Sequence, residues 1–301
     1  MAALSSRLTL RLLAAALAVG VFTAAPGPSA QRGNAQNAGP RRIVSLVPAT
    51  TEMLFDMGEG ARVAGIGNYD RFPPEVEKLP RLGGLLDPSV EQLLAMKPDL
   101  VVVYETQADL RRQLDRAGIP MYLYKHEGLA DIGVTMRELG ARIGAADAGA
   151  AAAKRLDDRL AAIRTRVSGR TSPRTLLVFG RQPGSLQGIN ASGGYGFMHD
   201  LLGVAGGTDV LGDLRQAAVS MSTEMVIARA PEVIIEVHYG TSLQGLQVDR
   251  ERRVWDALPS VPAVRNRRIY LLSGDEFVVP GPRVAAAARR FAEALHPDQF
   301  K

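Results

Sequence analysis

The sequence of 301 residues contains no cysteine, four histidines and one tryptophan. Without cysteine the chain can hold no disulfide framework, no cysteine-ligated zinc, no iron–sulfur cluster and no thiol nucleophile. For the same reason we expect no lipid anchor of the kind that is attached to a cysteine. The few histidines are not grouped with acidic residues at the spacings of a dedicated zinc site.

The sequence also lacks the short motifs that mark common enzyme sites. It has no nucleophile elbow, no P-loop lysine and no HExxH motif. The segment SGGYGF at Ser192 is rich in glycine, but it lacks the strand and the GxGxxG spacing of a dinucleotide site. We therefore predict that the protein is not an enzyme and has no cofactor of its own.

A long apolar run is missing as well. Two arginines precede the apolar residues 12–22, and small residues follow at Ala25 and Ala30. This is the pattern of a secretory signal peptide, and the run is too short for a comfortable membrane span. We predict a cleaved signal peptide over residues 1–30 and a disordered leader over residues 31–41. An uncleaved membrane anchor is the alternative.

The charge balance is slightly basic, with 36 Lys and Arg against 31 Asp and Glu. Three of the arginines lie in the first 40 residues, which contain no acidic residue, so the remainder has 33 basic and 31 acidic residues. No basic run interleaved with aromatics occurs in that remainder. We therefore predict no nucleic-acid partner.

From residue 42 onward, short β-branched runs alternate with helical stretches, which is typical of α/β sheets with right-handed crossovers. Residues 147–167 interrupt the alternation, because they are rich in Ala, Leu, Arg and Asp and contain no proline. Such a composition favours one long helix. The sequence predicts two α/β lobes, over residues 42–145 and 170–301, joined by a helical segment over 146–169. A single continuous α/β domain is the alternative.

The two halves of the chain contain a repeated segment. SVEQLLAMKPDLVV begins at Ser89, and STEMVIARAPEVII begins 133 residues later at Ser222. Serine is a good N-cap residue, so Glu91 and Glu224 fall in the first turn of a helix, where the helix dipole stabilises a carboxylate. We predict that the two glutamates occupy equivalent surface positions, one per lobe. They are either simple helix-terminal charges or docking points for a partner with basic pockets.

Four segments together resemble the substrate-binding proteins of ABC importers for vitamin B12, haem and iron siderophores. These segments are RIVSLVPATTEMLFDMG, NYDRFPPEVEKLPRLGG, DPSVEQLLAMKPDLVVV and GPRVAAAARR. The resemblance covers nearly all of the chain after residue 42. It implies two Rossmann-like lobes, a single long backbone helix between them and a ligand cleft between the lobes. It also implies a periplasmic monomer that docks on a dimeric inner-membrane permease through Glu91 and Glu224.

In this family the ligand is held by loops at the C-terminal ends of strands, as in open α/β sheets generally. The resemblance implies the following ligand-binding residues: Pro48, Ala49, Thr50, Tyr69, Leu85, Tyr104, His126, Arg181, His238 and Phe277. Tyr69 and Tyr104 lie where cobalamin-binding relatives place aromatic side chains that flank the corrin ring. For Tyr69, a place in the core is the alternative.

The implied ligand is a small-molecule metal chelate, cobalamin or a related corrinoid. The alternatives are an iron siderophore or haem, and a role in serving a sensor instead of a permease. Haem-binding relatives carry an axial tyrosine where this sequence has Gly84, and candidate arginines for an anionic siderophore are limited to Arg181 and Arg71. We predict no metal site of the protein itself. The alternative is that His126 or His238 ligates the metal of a bound chelate.

Overall fold

The computed structural model describes residues 39–239 and 245–301, so the predicted signal peptide and nearly all of the predicted leader lie outside the described residues. Within these two ranges, no helix is long and apolar enough to cross a membrane. The described chain forms two α/β lobes, each built on its own sheet. The predicted fold class is therefore confirmed.

The first lobe contains a four-stranded parallel sheet. Its strands are β1 (Ile43–Ser45), β2 (Val63–Ile66), β3 (Leu100–Tyr104) and β4 (Met121–Tyr124). They lie in the order β2-β1-β3-β4. Its helices are α1 (Pro48–Asp56), α2 (Val90–Ala95), α3 (Ala108–Arg116) and α4 (Ala130–Arg142). Alternate residues of the inner strand β3 are buried in two apolar clusters, one shared with α1 and α4 and the other with α2 and α3, which explains its unbroken apolar run.

One helix, α5 (Ala146–Val167), connects the lobes. Its buried residues recur at the three- and four-residue intervals of a single helical face: Gly149, Ala152, Ala153, Leu156, Leu160, Ile163 and Val167. A Cβ atom on Gly149 would lie 2.5 Å from the carbonyl oxygen of Met136, so glycine permits the close approach of α4 and α5. The largest cluster of buried apolar side chains runs from the first lobe through α5 into the second.

The second lobe contains a six-stranded mixed sheet. Its strands are β5 (Arg174–Gly180), β6 (Ile189–Ser192), β7 (Thr208–Asp209), β8 (Ala218–Met221), β9 (Val233–His238) and β10 (Ile269–Ser273). They lie in the order β10-β9-β5-β6-β8, and β7 pairs with the start of β5. Its helices are α6 (Phe197–Val204), α7 (Thr223–Arg229), α8 (Leu246–Arg253), α9 (Pro262–Arg265) and α10 (Val284–Leu295). Only β6 runs antiparallel to both of its neighbours among these described strands.

The repeated segment has the same local structure in both lobes, where α2 leads into β3 and α7 leads into β9. Asp99 and Glu232 occupy matching positions, and each carboxylate accepts a hydrogen bond at 2.8 Å from the backbone N–H at the start of a neighbouring strand segment. One of the two serine caps differs from expectation. The Ser222 hydroxyl accepts a hydrogen bond from the first turn of α7, whereas the Ser89 side chain makes no capping bond.

Candidate functional site

A cavity of about 700 Å³ lies between the two lobes. Its lining residues are Leu46, Pro48, Ala49, Tyr69, Leu85, Leu86, Asp87, Tyr104, Val278, Val279 and Pro280. The first-lobe residues come from segments that follow or end strands β1, β2 and β3, where open α/β sheets generally bind ligands. A smaller cavity of about 490 Å³ lies against α5 and α6 and contains none of the predicted ligand-binding residues.

The lining is mostly apolar and includes two tyrosines. The Tyr69 side chain is 66% exposed, so this residue does not belong to the core. Tyr104 is partly buried and packs edge-on against Tyr124, with 5.6 Å between the ring centroids. Burial, together with the negative charge of Asp70, raises the pKa of Tyr104 to about 12, so its hydroxyl stays protonated at neutral pH. Asp87 is the one charged residue among the described lining residues.

One cavity wall is held in place by a residue that the sequence did not single out. The side-chain amide of Gln107 donates a hydrogen bond to the carbonyl oxygen of Leu85 at 2.7 Å. Its carbonyl oxygen accepts one from the backbone N–H of Tyr104 at 3.0 Å. Gln107 thus ties the loop that carries Leu85 and Leu86 to the end of β3. A single glutamine in a loop gives no sequence signal for such a bridge.

Two of the predicted ligand-binding residues lie behind the cavity wall. Thr50 is fully buried, and its hydroxyl donates to the carbonyl oxygen of Val47 at 2.9 Å. Phe277 is also fully buried and stacks on Phe291, with 5.3 Å between the ring centroids. Both side chains support the residues that line the cavity, and neither reaches its surface.

Arg181 lies inside the second lobe. Its side chain is 2% exposed, with Nε 3.0 Å from the Glu236 carboxylate and Nη1 2.9 Å from that of Glu251. Burial alone would raise the pKa of Glu236, but hydrogen bonding from His238, the charge of Arg181 and hydrogen bonding from Trp255 together lower it. Trp255 is fully buried. Arg181 therefore offers its charge to these carboxylates and not to the cavity.

The two predicted histidines also lie outside the cavity lining. His238 Nε2 is 2.8 Å from the Glu236 carboxylate. His126 stacks on Tyr124 and meets the edge of Phe197 from the second lobe, and both of its ring nitrogens are buried without a hydrogen-bond partner. Burial lowers the pKa of His126. In the part of the chain that the structure describes, no group of three or more His, Asp or Glu side chains could hold a metal ion.

Glu91 and Glu224 are both exposed in the first turns of α2 and α7. A hydrogen bond with the Ser222 side chain lowers the pKa of Glu224, so its carboxylate is ionised at neutral pH. The structure thus places Glu91 and Glu224 as exposed acidic side chains at matching positions of the two copies of the repeat.

Residues 43–276 match the family model described as periplasmic binding protein. The chain belongs to this family. Among its relatives is the vitamin B12-binding protein of Salmonella choleraesuis (strain SC-B67), which is 29% identical over 256 residues that cover 84% of this chain and 90% of that protein. This membership confirms the expectation of a substrate-binding protein of the ABC-importer type and not an enzyme.

Solved structures of the family share the fold. The periplasmic vitamin B12 binding protein BtuF of Vibrio cholerae has a TM-score of 0.73 at 23% identity, covering 87% of this chain and 99% of that one. The periplasmic heme-binding protein RhuT from Roseiflexus sp. RS-1, in its apo form, also has a TM-score of 0.73, at 26% identity and covering 87% and 100%. One two-lobed fold therefore occurs in proteins with different ligands.

Proposed function

We propose that this periplasmic binding protein captures cobalamin or a related corrinoid between its lobes and delivers it to an ABC permease. The cavity of about 700 Å³, with apolar walls and two tyrosines, carries this proposal. A corrinoid presents a broad ring with apolar faces and a periphery of neutral amides. Apolar walls suit the ring faces, and the protonated Tyr104 hydroxyl can donate a hydrogen bond to an amide oxygen.

The charge of the cavity also supports a neutral ligand over an anionic one. Within the described part of the chain, no lysine, arginine or histidine lines the cavity. Of the two arginines that the sequence offered for an anion, Arg181 is already paired with Glu236 and Glu251, and Arg71 does not line the cavity. In this cavity the negative charge of haem propionates or of an anionic siderophore would be repelled by Asp87. Among the described lining residues, no basic side chain would compensate that charge.

Delivery requires a second surface, which we assign to Glu91 and Glu224. Both are exposed, and they lie at matching positions in the two lobes. This arrangement suits a dimeric permease that presents one basic pocket from each subunit. We propose that the protein is exported, that it works in the periplasm as a monomer, and that the permease and its ATPase are its partners.

The ligand is tested by visible absorption. Protein starting at residue 31 is purified and incubated separately with cobalamin, haem and ferric siderophores, then freed of unbound ligand by gel filtration. We expect cobalamin absorbance to elute with the protein at a ratio near one. Co-elution of haem or a ferric siderophore, and not of cobalamin, would show that the proposed ligand is wrong. Tight cobalamin binding without stimulation of ATP hydrolysis by a reconstituted permease would favour the sensor role.

A further inference from the structure

An ion pair far from the repeat connects the two lobes directly. Glu52 belongs to α1 in the first lobe and is 4% exposed, and Arg283 immediately precedes α10 in the second lobe. Arg283 Nε donates to one carboxylate oxygen of Glu52 at 3.0 Å, and Nη2 donates to the other at 2.5 Å. This two-pronged geometry is the strongest and most directional form of an arginine–carboxylate pair.

Arg283 makes two further contacts that hold its side chain in this position. Its guanidinium lies over the ring of Phe72 from the first lobe, 4.3 Å from the ring centroid. Its Nη1 is 3.5 Å from a carboxylate oxygen of Glu276, which is also paired with Arg290 at 2.8 Å. The Glu52 carboxylate is buried, so it depends on Arg283 to compensate its charge.

The ion pair lies next to the cavity on both sides. Pro48 and Ala49, which line the cavity, precede Glu52 by one turn of α1. Residues 278–280, which form the second-lobe wall, are separated from Arg283 by two residues of the chain. A Cβ atom on Gly281 would lie 3.0 Å from the Glu52 carboxylate, so the chain between this wall and Arg283 passes directly against that carboxylate.

We infer that Glu52 and Arg283 are positioning residues that hold the second-lobe wall against α1 and thereby set the affinity for the ligand without touching it. Neither residue lines the cavity. The pair acts through the spacing of Pro48 and Ala49 from residues 278–280. The part of the inference that concerns ligand affinity rests on the proposed function. The part that concerns the spacing of the lobes does not.

The spacing is tested in the ligand-free protein. Because the chain has no cysteine, Asp115→Cys and Arg215→Cys, at exposed positions in the two lobes, give two unique sites for spin labels. We expect a narrow distance distribution in the labelled parent protein and a broader or shifted one with Arg283→Met. Arg155→Met is the matched control, since it breaks the 2.9 Å pair with Asp56 on the same helix α1 away from the cavity. An unchanged distribution with Arg283→Met would overturn the inference.

Affinity is the second measurement, with cobalamin as the probe. We expect Arg283→Met to weaken binding by about 10- to 100-fold, mainly through faster release, and Arg283→Lys to recover part of the loss. Unchanged affinity in a folded Arg283→Met protein would also overturn the inference. If the parent protein binds no cobalamin, the proposed ligand fails, while the distance measurement still decides whether the pair positions the lobes.

A double variant separates positioning from plain stabilisation. Glu52→Met with Arg283→Met leaves no buried charge without a partner, so its thermal stability should return close to that of the parent protein. It lacks the directional pair, so we expect the broad lobe distances and the weak binding to persist. If the narrow lobe distances and the ligand affinity of the parent protein return together with its thermal stability, the pair has a stabilising role only.

Discussion

Lys97 and Ala230 have the same left-handed backbone conformation, with φ angles of 48° and 46°, at the same place in the two copies of the repeated segment. Residues other than glycine rarely adopt this conformation. Arg42 and Arg174 correspond as well, because each guanidinium donates to the carbonyl oxygen of the residue just before the left-handed one. The two copies thus share one geometry where α2 and α7 end, which makes the repeated segments structurally equivalent apart from their serine caps.

This equivalence leads to a prediction about docking. Glu91→Ala combined with Glu224→Ala should leave ligand affinity unchanged and abolish ligand uptake, because both side chains are exposed and lie outside the cavity lining. Stimulation of the permease ATPase by loaded protein provides the measurement, and its dependence on salt should weaken in each single variant. Asp115→Ala with Asp256→Ala, one exposed carboxylate per lobe, is the control. Normal uptake by the glutamate double variant would contradict the docking proposal.

The cavity tyrosines give a second prediction. Tyr104→Ala and Tyr69→Ala should each weaken cobalamin binding by about tenfold, since an aromatic contact contributes about 1 kcal/mol beyond the area it buries. Tyr104→Phe should recover the part of the affinity that the aromatic ring contributes, but not the part that the hydroxyl contributes. Titration calorimetry measures both. Tyr195→Ala, at an exposed tyrosine outside the cavity lining, should bind like the parent protein, and unchanged affinity in the Tyr69 or Tyr104 variant would remove that residue from the site.

A third prediction concerns Asp70, which is 1% exposed and has one carboxylate oxygen without a hydrogen-bond partner. Burial raises its pKa from 3.8 to about 7. Between these two values the folded protein holds a proton that the unfolded chain releases, so stability from this group falls as pH rises and levels off above about pH 7. Asp70→Asn removes the titrating group. It should therefore raise the free energy of unfolding at about pH 8 by about 2–4 kcal/mol.

Urea unfolding of both proteins at about pH 4 and about pH 8 checks this prediction. The advantage of Asp70→Asn should be small at the lower pH and large at the higher one, because only the ionised carboxylate is destabilising where it is buried. An advantage of the same size at both pH values would contradict the assignment, since it would then arise from packing and not from ionisation.

Arg181 provides a fourth prediction, which separates stability from binding. Arg181→Met should lower the free energy of unfolding by about 3–5 kcal/mol, because it leaves Glu236 and Glu251 without their buried partner. Ligand affinity should not change in the folded variant, since Arg181 does not line the cavity. Denaturant unfolding, followed by the fluorescence of Trp255, and calorimetry are the two measurements. Weaker ligand binding with unchanged stability would contradict this prediction and would indicate that Arg181 belongs to the ligand site.

Much of the fold could be predicted, because its main elements have clear sequence periods. The long helix predicted over residues 147–167 is α5, Ala146–Val167. The strands β6, β7 and β8 were missed, because they are two to four residues long and lie in a segment rich in glycine and polar residues. Strands this short are stabilised by pairing with distant residues, which a local pattern cannot show.

The first-lobe half of the cavity was more predictable than the second. Pro48, Tyr69 and Tyr104 were expected because they follow or end parallel strands, and all three line the cavity. In the second lobe a 3-10 turn, Asp275–Phe277, directs Phe277 into the core and leaves residues 278–280 as the wall. The direction of the Phe277 side chain depends on tertiary packing. So does the pairing of Arg181 with Glu236 and Glu251, which lie far along the chain.

None of the described residues that line the cavity lies in the interior of a sheet. The eleven lining residues lie in loops, in the first turn of α1 or at the last position of β3, and Leu46 and Tyr104 also take part in strand pairing. We therefore expect substitutions at the exposed lining positions Tyr69, Leu85 and Leu86 to change ligand preference while the fold is preserved. The two lobes act as a scaffold for these loop positions. Substituting them is a way to change the specificity of the protein toward a metal chelate of a different shape or charge.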